Sequence, residues 1–321
     1  MKQRKINDRF IKGHGMHLKK KLWVRYFKTE WPLHVMLLLP LTLLVIYKYA
    51  PMAGIIVAFK KYMPKQGIFG SPWVGLKNFE NLFGMPGFIA TIRNTLVLSI
   101  SKICLGIAVP VIFSILLNEV FSVWRKRIVQ TIIYMPHFIS WVLMASIIFK
   151  MLAQYGIANQ ILISLGIIRE PIIFLAKSAW FPGIIIGTDI WKEFGYGTVI
   201  YLATIVGINP ELYESAAIDG AGRWKQTLYI TLPGLTSIII LLAALSMGRI
   251  LDAGFDQVYN LYSPVVYSTG DIIDTYVYRM AFENNQVSIA VAAGLFKSVI
   301  SATLMIASYR IAYKISDYRI F

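Results

Sequence analysis

Six stretches of this 321-residue chain are apolar for the length that a helix needs to cross a bilayer, roughly 20 residues. They run at about 33–59, 89–117, 131–152, 181–206, 235–254 and 287–312. The first is not a cleaved leader, because it follows a long charged segment and lacks a small-residue cleavage site. With 57% hydrophobic residues and a mean hydropathy of +0.61, the composition lies well above that of soluble domains. The pattern predicts an all-α membrane protein with six transmembrane helices, multi-pass in an inner membrane.

Lys and Arg set the expected orientation, since they accumulate on the cytoplasmic side. Residues 1–30 hold ten of the 32, and Arg125, Lys126, Arg127, Arg223, Lys225, Arg310, Lys314 and Arg319 lie on the same side, eighteen in all. The opposite loops carry eight: Lys60, Lys61, Lys65, Lys77, Lys150, Arg169, Lys177 and Arg279. Both termini and the loop between the fourth and fifth stretches are therefore expected in the cytoplasm. The net charge of +16 is accounted for by basic loops beside anionic lipid and calls for no nucleic acid.

Residues 1–30 read as a basic segment at the membrane interface, with Trp23, Tyr26 and Phe27 on it, and 31–321 as the transmembrane domain. The segment 75–83 reads as a short amphipathic helix presenting Leu76, Phe79 and Phe83. Pro110 predicts a kink in the second span, which packed neighbours tolerate. The stretch 255–285 reads as a polar outer segment with Asp256, Asp271, Asp274 and Glu283 among aromatic residues.

Catalytic equipment is not visible. Cys104 stands alone, and His14, His17, His34 and His137 have no metal-ligand spacing. Nucleophile elbow, phosphate-binding loop and HExxH are missing from the sequence.

The segment 209–233, within a loop at 207–234, is polar and broken by turns. Asn209 is placed to cap a helix with Pro210 at its first position, and Glu211 and Glu214 suit the positive end of its dipole. Gly220 and Gly222 break that helix, and Arg223 to Thr231 reads as a second one stopped by Pro233. Ser215, Ala216 and Ala217 form a small-residue surface that another backbone can approach.

Ionisable residues inside spans are costly and suggest function. Asp189, Lys192 and Glu193, at i, i+3 and i+4, share a helix face beside Trp191 and Tyr196. Arg249, Asp252 and Asp256 are expected on one face of the fifth span, with Lys102 in the second and Lys297 in the sixth. Facing one another across a wet cavity, such charges and aromatic rings suit a sugar. Tyr196, Ser246 and Asn285 are weaker candidates, since polar residues in such bundles often bridge helices. The competing reading makes Lys192–Glu193 and Arg249–Asp252 internal ion pairs that fix helix register.

The run ESAAIDGAGRWKQTLYITLP (214–233) resembles the EAA loop of binding-protein-dependent ABC transporter permeases. GLKNFENLF and IWKEFGYGTVIYLATIVGINPELYE look like the maltose-permease branch that imports sugars. FDQVYNLYSPVVYSTGDIIDTYVYR, followed by AAGLFKSVI, is similar to a narrower group of oligosaccharide permeases often found with polysaccharide-degrading enzymes. The resemblance extends from about residue 33 to the C terminus. Ser215 departs from it, standing where the loop's first alanine is usual.

That resemblance implies a type I ABC importer permease fold and a mechanism. Glu214, Ser215, Ala216, Ala217, Asp219, Gly220 and Ala221 would dock on an ATP-binding subunit, Glu214 in contact with it and Gly220 giving the turn. The expected partners are two ATP-binding subunits, a second permease subunit in a heterodimer, an extracytoplasmic solute-binding protein and an oligosaccharide. ATP and Mg would be used by the partner subunits, with no cofactor or metal bound by this chain. The substrate-pathway residues would be Asp189, Trp191, Lys192, Glu193, Tyr196, Ser246, Arg249, Asp252, Asp256 and Lys297. Lys102, Lys192, Arg249 and Lys297 point towards acidic, uronate-containing sugars. Two other classes stay open: an ion-coupled secondary transporter, which would be expected to show inverted repeats, and an intramembrane enzyme using Asp189, Glu193 and Asp252 as acids.

Overall fold

The structure, a computed structural model, describes residues 30–120 and 122–316, with side chains as far as residue 310. The basic lead with Trp23, Tyr26 and Phe27 and the tail beyond 316 lie outside the described residues. The chain divides into two compact units, Met1–Ile56 and Val57–Phe321. Among the described residues the regular structure is helical, apart from one isolated bridge between Lys60 and Trp73.

In chain order the principal helices begin with α1 (Glu30–Phe59), α2 (Lys77–Gly84), α3 (Phe88–Asn118) and α4 (Val123–Tyr134). Next come α5 (Trp141–Leu152), α6 (Ile157–Ser164), α7 (Phe181–Val206) and α8 (Pro210–Ile218). The last four are α9 (Arg223–Met247), α10 (Phe255–Leu261), α11 (Ile273–Tyr278) and α12 (Val287–Ser316). Among the described residues five stretches are long and apolar enough to cross a membrane: α1, α3, the α5–α6 stretch, α9 and α12. The 26-residue α7 is set apart by Asp189, Lys192 and Glu193 at its middle, not by its length.

The α3–α7 pair is the most extensive helix contact. Two glycines explain how α7 comes so close to its neighbours. A Cβ on Gly195 would lie 2.0 Å from the Ile133 carbonyl oxygen of α4, and one on Gly197 would lie 3.1 Å from the Pro110 ring of α3. Small residues at helix contacts let backbones approach where packing, not water exclusion, holds helices together.

Three expectations need correction. The predicted third span, 131–152, is two helices. α4 ends at Tyr134, Pro136 opens a tight turn over Met135–Phe138, and the Ser140 hydroxyl caps α5 by accepting from the Leu143 N–H. Pro233, expected to stop the second loop helix, stops nothing. The helix widens over Thr227–Thr231, where the Leu232 N–H bonds to the Thr227 carbonyl, and α9 runs on to Met247. A wider turn ahead of a proline takes up the clash of its ring with the carbonyl four residues back.

The third correction concerns 255–285, expected to be a polar outer segment. Val258, Leu261, Val266 and Ile272 are buried in one core with Leu98 of α3, Met144 and Ile148 of α5, and Phe181 and Ile185 of α7. Short helices there turn apolar residues inward between polar ones. Gly270 is needed for the fit, because a Cβ on it would meet the Phe181 ring at 2.4 Å.

The helix α2 forms as expected, on a different face. Asn78 and Leu82 are buried while Leu76 and Phe83 are exposed. Asn78 faces inward because its amide donates to the Ala58 and Lys60 carbonyls at 2.8 and 2.9 Å.

Candidate functional site

Where α3 and α7 lie together and α9 breaks off, a cavity of about 300 Å³ opens, at the small end of ligand pockets. α3 lines it with Ser99, Lys102, Ile103 and Gly106, and α7 with Asp189. Ser246 near the end of α9 and the turn after it add Arg249, Asp252 and Gly254.

Lys102 ties the three walls together. Its ammonium lies 3.1 Å from Asp189 Oδ1 and donates to the Ala253 carbonyl at 2.7 Å and to Gln257 Oε1. The Gln257 amide donates in turn to the Ile185 carbonyl at 2.7 Å and Thr188 Oγ1 at 2.8 Å on α7. Gly254 takes φ +87°, which favours glycine, and brings this turn against Lys102.

A second cluster sits at the break between α4 and α5. His137 Nδ1 is 2.7 Å from Glu193 Oε2, and its ring stacks on Tyr196 with centroids 4.1 Å apart. Buried Lys192 donates to the His137 carbonyl at 2.6 Å and to Glu193 Oε1 at 3.1 Å, and its ammonium lies over the Trp141 ring. Glu193 and Tyr196 are exposed enough to meet a solute or a partner chain.

Two further ion pairs brace the 255–285 segment. Lys297 of α12 holds Asp274 at 2.6 and 2.7 Å. Arg279 clasps buried Asp271 with both terminal nitrogens and lies over the Tyr267 ring at 4.3 Å. Burial pushes the Asp274 carboxyl up, with the Lys297 ammonium opposing it; burial also pushes the Tyr262 hydroxyl up.

The predicted pathway residues thus separate. Asp189, Ser246, Arg249 and Asp252 line the cavity, whereas Lys192, Glu193 and Tyr196 belong to the His137 cluster. Trp191 lies elsewhere, with Ile148, Met151, Leu152 and Thr188. Lys297 is taken up by Asp274, and Asp256 is exposed at the start of α10.

Arg249, Asp252 and Asp256 do not share a helix face, since α9 ends at Met247 and Asp256 is on α10. Lys192 and Glu193 do pair, as the register reading held. Arg249 and Asp252 do not; Asp252 Oδ1 instead accepts from the Gly254 N–H at 3.3 Å. Ser99, His137, Gln257 and Asp274 went unrecognised as site residues. The spacing of Ser99, Lys102 and Gly106, at i, i+3 and i+7 on α3, was the available signal for the first.

The loop joining α7 to α9 has defined geometry. Asn209 Oδ1 caps α8 by accepting from the Glu211 N–H at 3.1 Å. Gly220, at φ +75°, closes it: the Ala221 N–H reaches the Ala216 carbonyl at 2.8 Å and the Gly220 N–H the Ala217 carbonyl at 3.1 Å. This paired closure is the Schellman motif. The Tyr213 hydroxyl meets Thr231 Oγ1 at 2.9 Å, and Arg223 reaches Glu119 beyond α3 at 3.3 Å. Glu214, Ser215, Ala217 and Asp219 are exposed, as are apolar Ile218 and Trp224.

Residues 106–320 match the family model described as the binding-protein-dependent transport system inner membrane component. The chain belongs to that family. This permease is 39% identical over 304 residues to the polygalacturonan/rhamnogalacturonan transport system permease protein YteP of Bacillus subtilis (strain 168), covering 94% of each chain. It is 39% identical over 300 residues to protein LplB of the same organism, covering 93% of this chain and 94% of the relative. Among solved structures it is similar to a chain of a bacterial ABC transporter involved in the import of the acidic polysaccharide alginate. That match has a TM-score of 0.84 and 37% identity, over 92% of this chain and 99% of the other. It is also similar to a chain of a bacterial alginate ABC transporter in complex with an alginate pentasaccharide-bound periplasmic protein, with a TM-score of 0.83 and 37% identity over 92% of this chain and 98% of the other. The permease is thus a multi-pass inner-membrane protein with the type I ABC importer permease fold.

Proposed function

We propose that this permease is a transmembrane subunit of an ATP-driven importer that moves acidic, uronate-containing oligosaccharides into the cytoplasm. A solute-binding protein outside delivers the sugar, a second permease subunit completes the pathway, and two ATP-binding subunits hydrolyse ATP with Mg. α7 is the sixth span alongside the five apolar ones, with the 207–234 loop on the cytoplasmic side.

One relationship carries the reading: the 207–234 loop joins the two helices that bring Asp189 and Arg249 to the same cavity. Glu214, Ser215, Ala216, Ala217, Asp219, Gly220 and Ala221 form the docking surface for the ATP-binding subunit. A helix capped at both ends moves as a unit, and the exposed Ile218 at its end and Trp224 at the start of α9 are apolar anchors of the kind that interfaces bury. ATP-driven closure of the partner subunits displaces this helix and, through it, the cavity walls. The acidic preference is supported by the relatives whose names specify polygalacturonan and alginate.

Purification with co-expressed partners, followed by ATP-dependent uptake in proteoliposomes, tests the reading. Gly220→Pro is expected to leave the membrane helices assembled and to abolish uptake. Intact uptake in that variant would refute coupling through the loop.

A further inference from the structure

The cations predicted for the pathway differ in one respect. Lys102, Lys192 and Lys297 each hold a carboxylate. Arg249 makes no side-chain hydrogen bond or ion pair among the described residues, although it lines the same cavity as Asp189 and Asp252. Ser99 of α3 borders the cavity from within the wall. Ser99 is 1% exposed, and its hydroxyl is the one buried side-chain polar atom without a hydrogen-bond partner among the described residues. Arg249 and Asp252 are exposed on that cavity, so both charged groups are free to exchange water for a bound solute.

From this geometry we infer that the cavity is a subsite for one uronate unit, with Arg249 its carboxylate-binding residue. This rests on the acidic-oligosaccharide reading above and deepens it. The guanidinium offers paired N–H groups that match a carboxylate in a planar, bidentate arrangement. The formal charges of Lys102, Asp189, Arg249 and Asp252 cancel, so bulk attraction does not explain selection; one free fork does. Asp252 lies three residues on, unpaired with Arg249, and accepts from sugar hydroxyls. A bare inorganic anion would gain nothing from Asp252, whereas a sugar acid uses both signs of charge.

The test compares uptake of an oligogalacturonate and an alginate oligosaccharide with their fully methyl-esterified forms, in the complete reconstituted transporter. The variant-to-wild-type ratio is formed separately for each sugar, so the binding protein's own preference cancels. Arg249→Gln is expected to cut uptake of the acidic sugar roughly ten-fold, the worth of a charged hydrogen bond, and to leave the ester nearly unchanged. Arg249→Lys restores part of the loss. Arg310→Gln, the same charge change at the end of α12, is the control and leaves the ratios at one.

Undiminished acidic uptake in Arg249→Gln, or equal losses for acid and ester, overturns the subsite while leaving the acidic importer standing. A wild-type transporter that favours neither acidic sugar over its ester overturns the importer reading, and the subsite falls with it.

Discussion

Lys102 of α3 and Asp189 of α7 meet at 3.1 Å inside the helix bundle, and the same ammonium holds the Ala253 carbonyl beyond the end of α9. One side chain thus fastens α3 both to α7 and to the turn that follows α9. Removing one partner of a buried pair strands the other charge and costs about 3–5 kcal/mol, whereas replacing both is far milder. Lys102→Met is therefore expected to lower the Tm of the purified complex sharply, and Lys102→Met with Asp189→Asn to recover part of it. A thermal melt of wild type, both single variants and the double variant reads the coupling; additive losses would show that the pair is not shared.

Gly220 is a matter of backbone conformation alone. A Cβ there meets nothing within 4 Å, but φ is +75°. Gly220→Ala should cost only the left-handed penalty, about 1–2 kcal/mol, and keep much of the uptake. Proline fixes φ near −65° and cannot close the motif. Uptake rates for the two variants should separate widely; equal defects would mean that volume, not conformation, matters at this position.

Gly195 presents the opposite case. Its missing Cβ is what lets the Ile133 carbonyl approach, so Gly195→Val has to push α4 away from α7. Gly183, on the same helix, has open space around it. Gly195→Val is expected to reduce the yield of folded, monodisperse protein by size-exclusion chromatography, and Gly183→Ala to leave it unchanged. A well-behaved Gly195→Val protein would disprove the close contact.

The elements legible in the sequence were those with strong local signals. Apolar length marked the spans, and Asn209–Pro210, Gly220 and Gly222 marked the loop, because capping and turn chemistry act within a few residues. The breaks at Pro136 and after Met247 were missed. Apolar residues continue through both, and hydropathy does not register a change of helix direction. The inward packing of 255–285 was hidden for a related reason. Its buried positions, such as Val258 and Ile272, alternate with polar ones at no fixed period, and only contact with Phe181 and Leu98 gives them a face. The site was legible by residue type and not by partner. Asp189 and Arg249 stood out as charges in apolar surroundings, but Gln257 and His137 have meaning only through the groups that tertiary structure brings to them.

The most direct test of the central claim is ATP hydrolysis by the assembled transporter in lipid, driven by binding protein loaded with acidic or neutral oligosaccharides of equal length. The account predicts stimulation by the acidic sugars well above that by the neutral ones, and none in Gly220→Pro. Equal stimulation by neutral sugars, or hydrolysis indifferent to loaded binding protein, would contradict it.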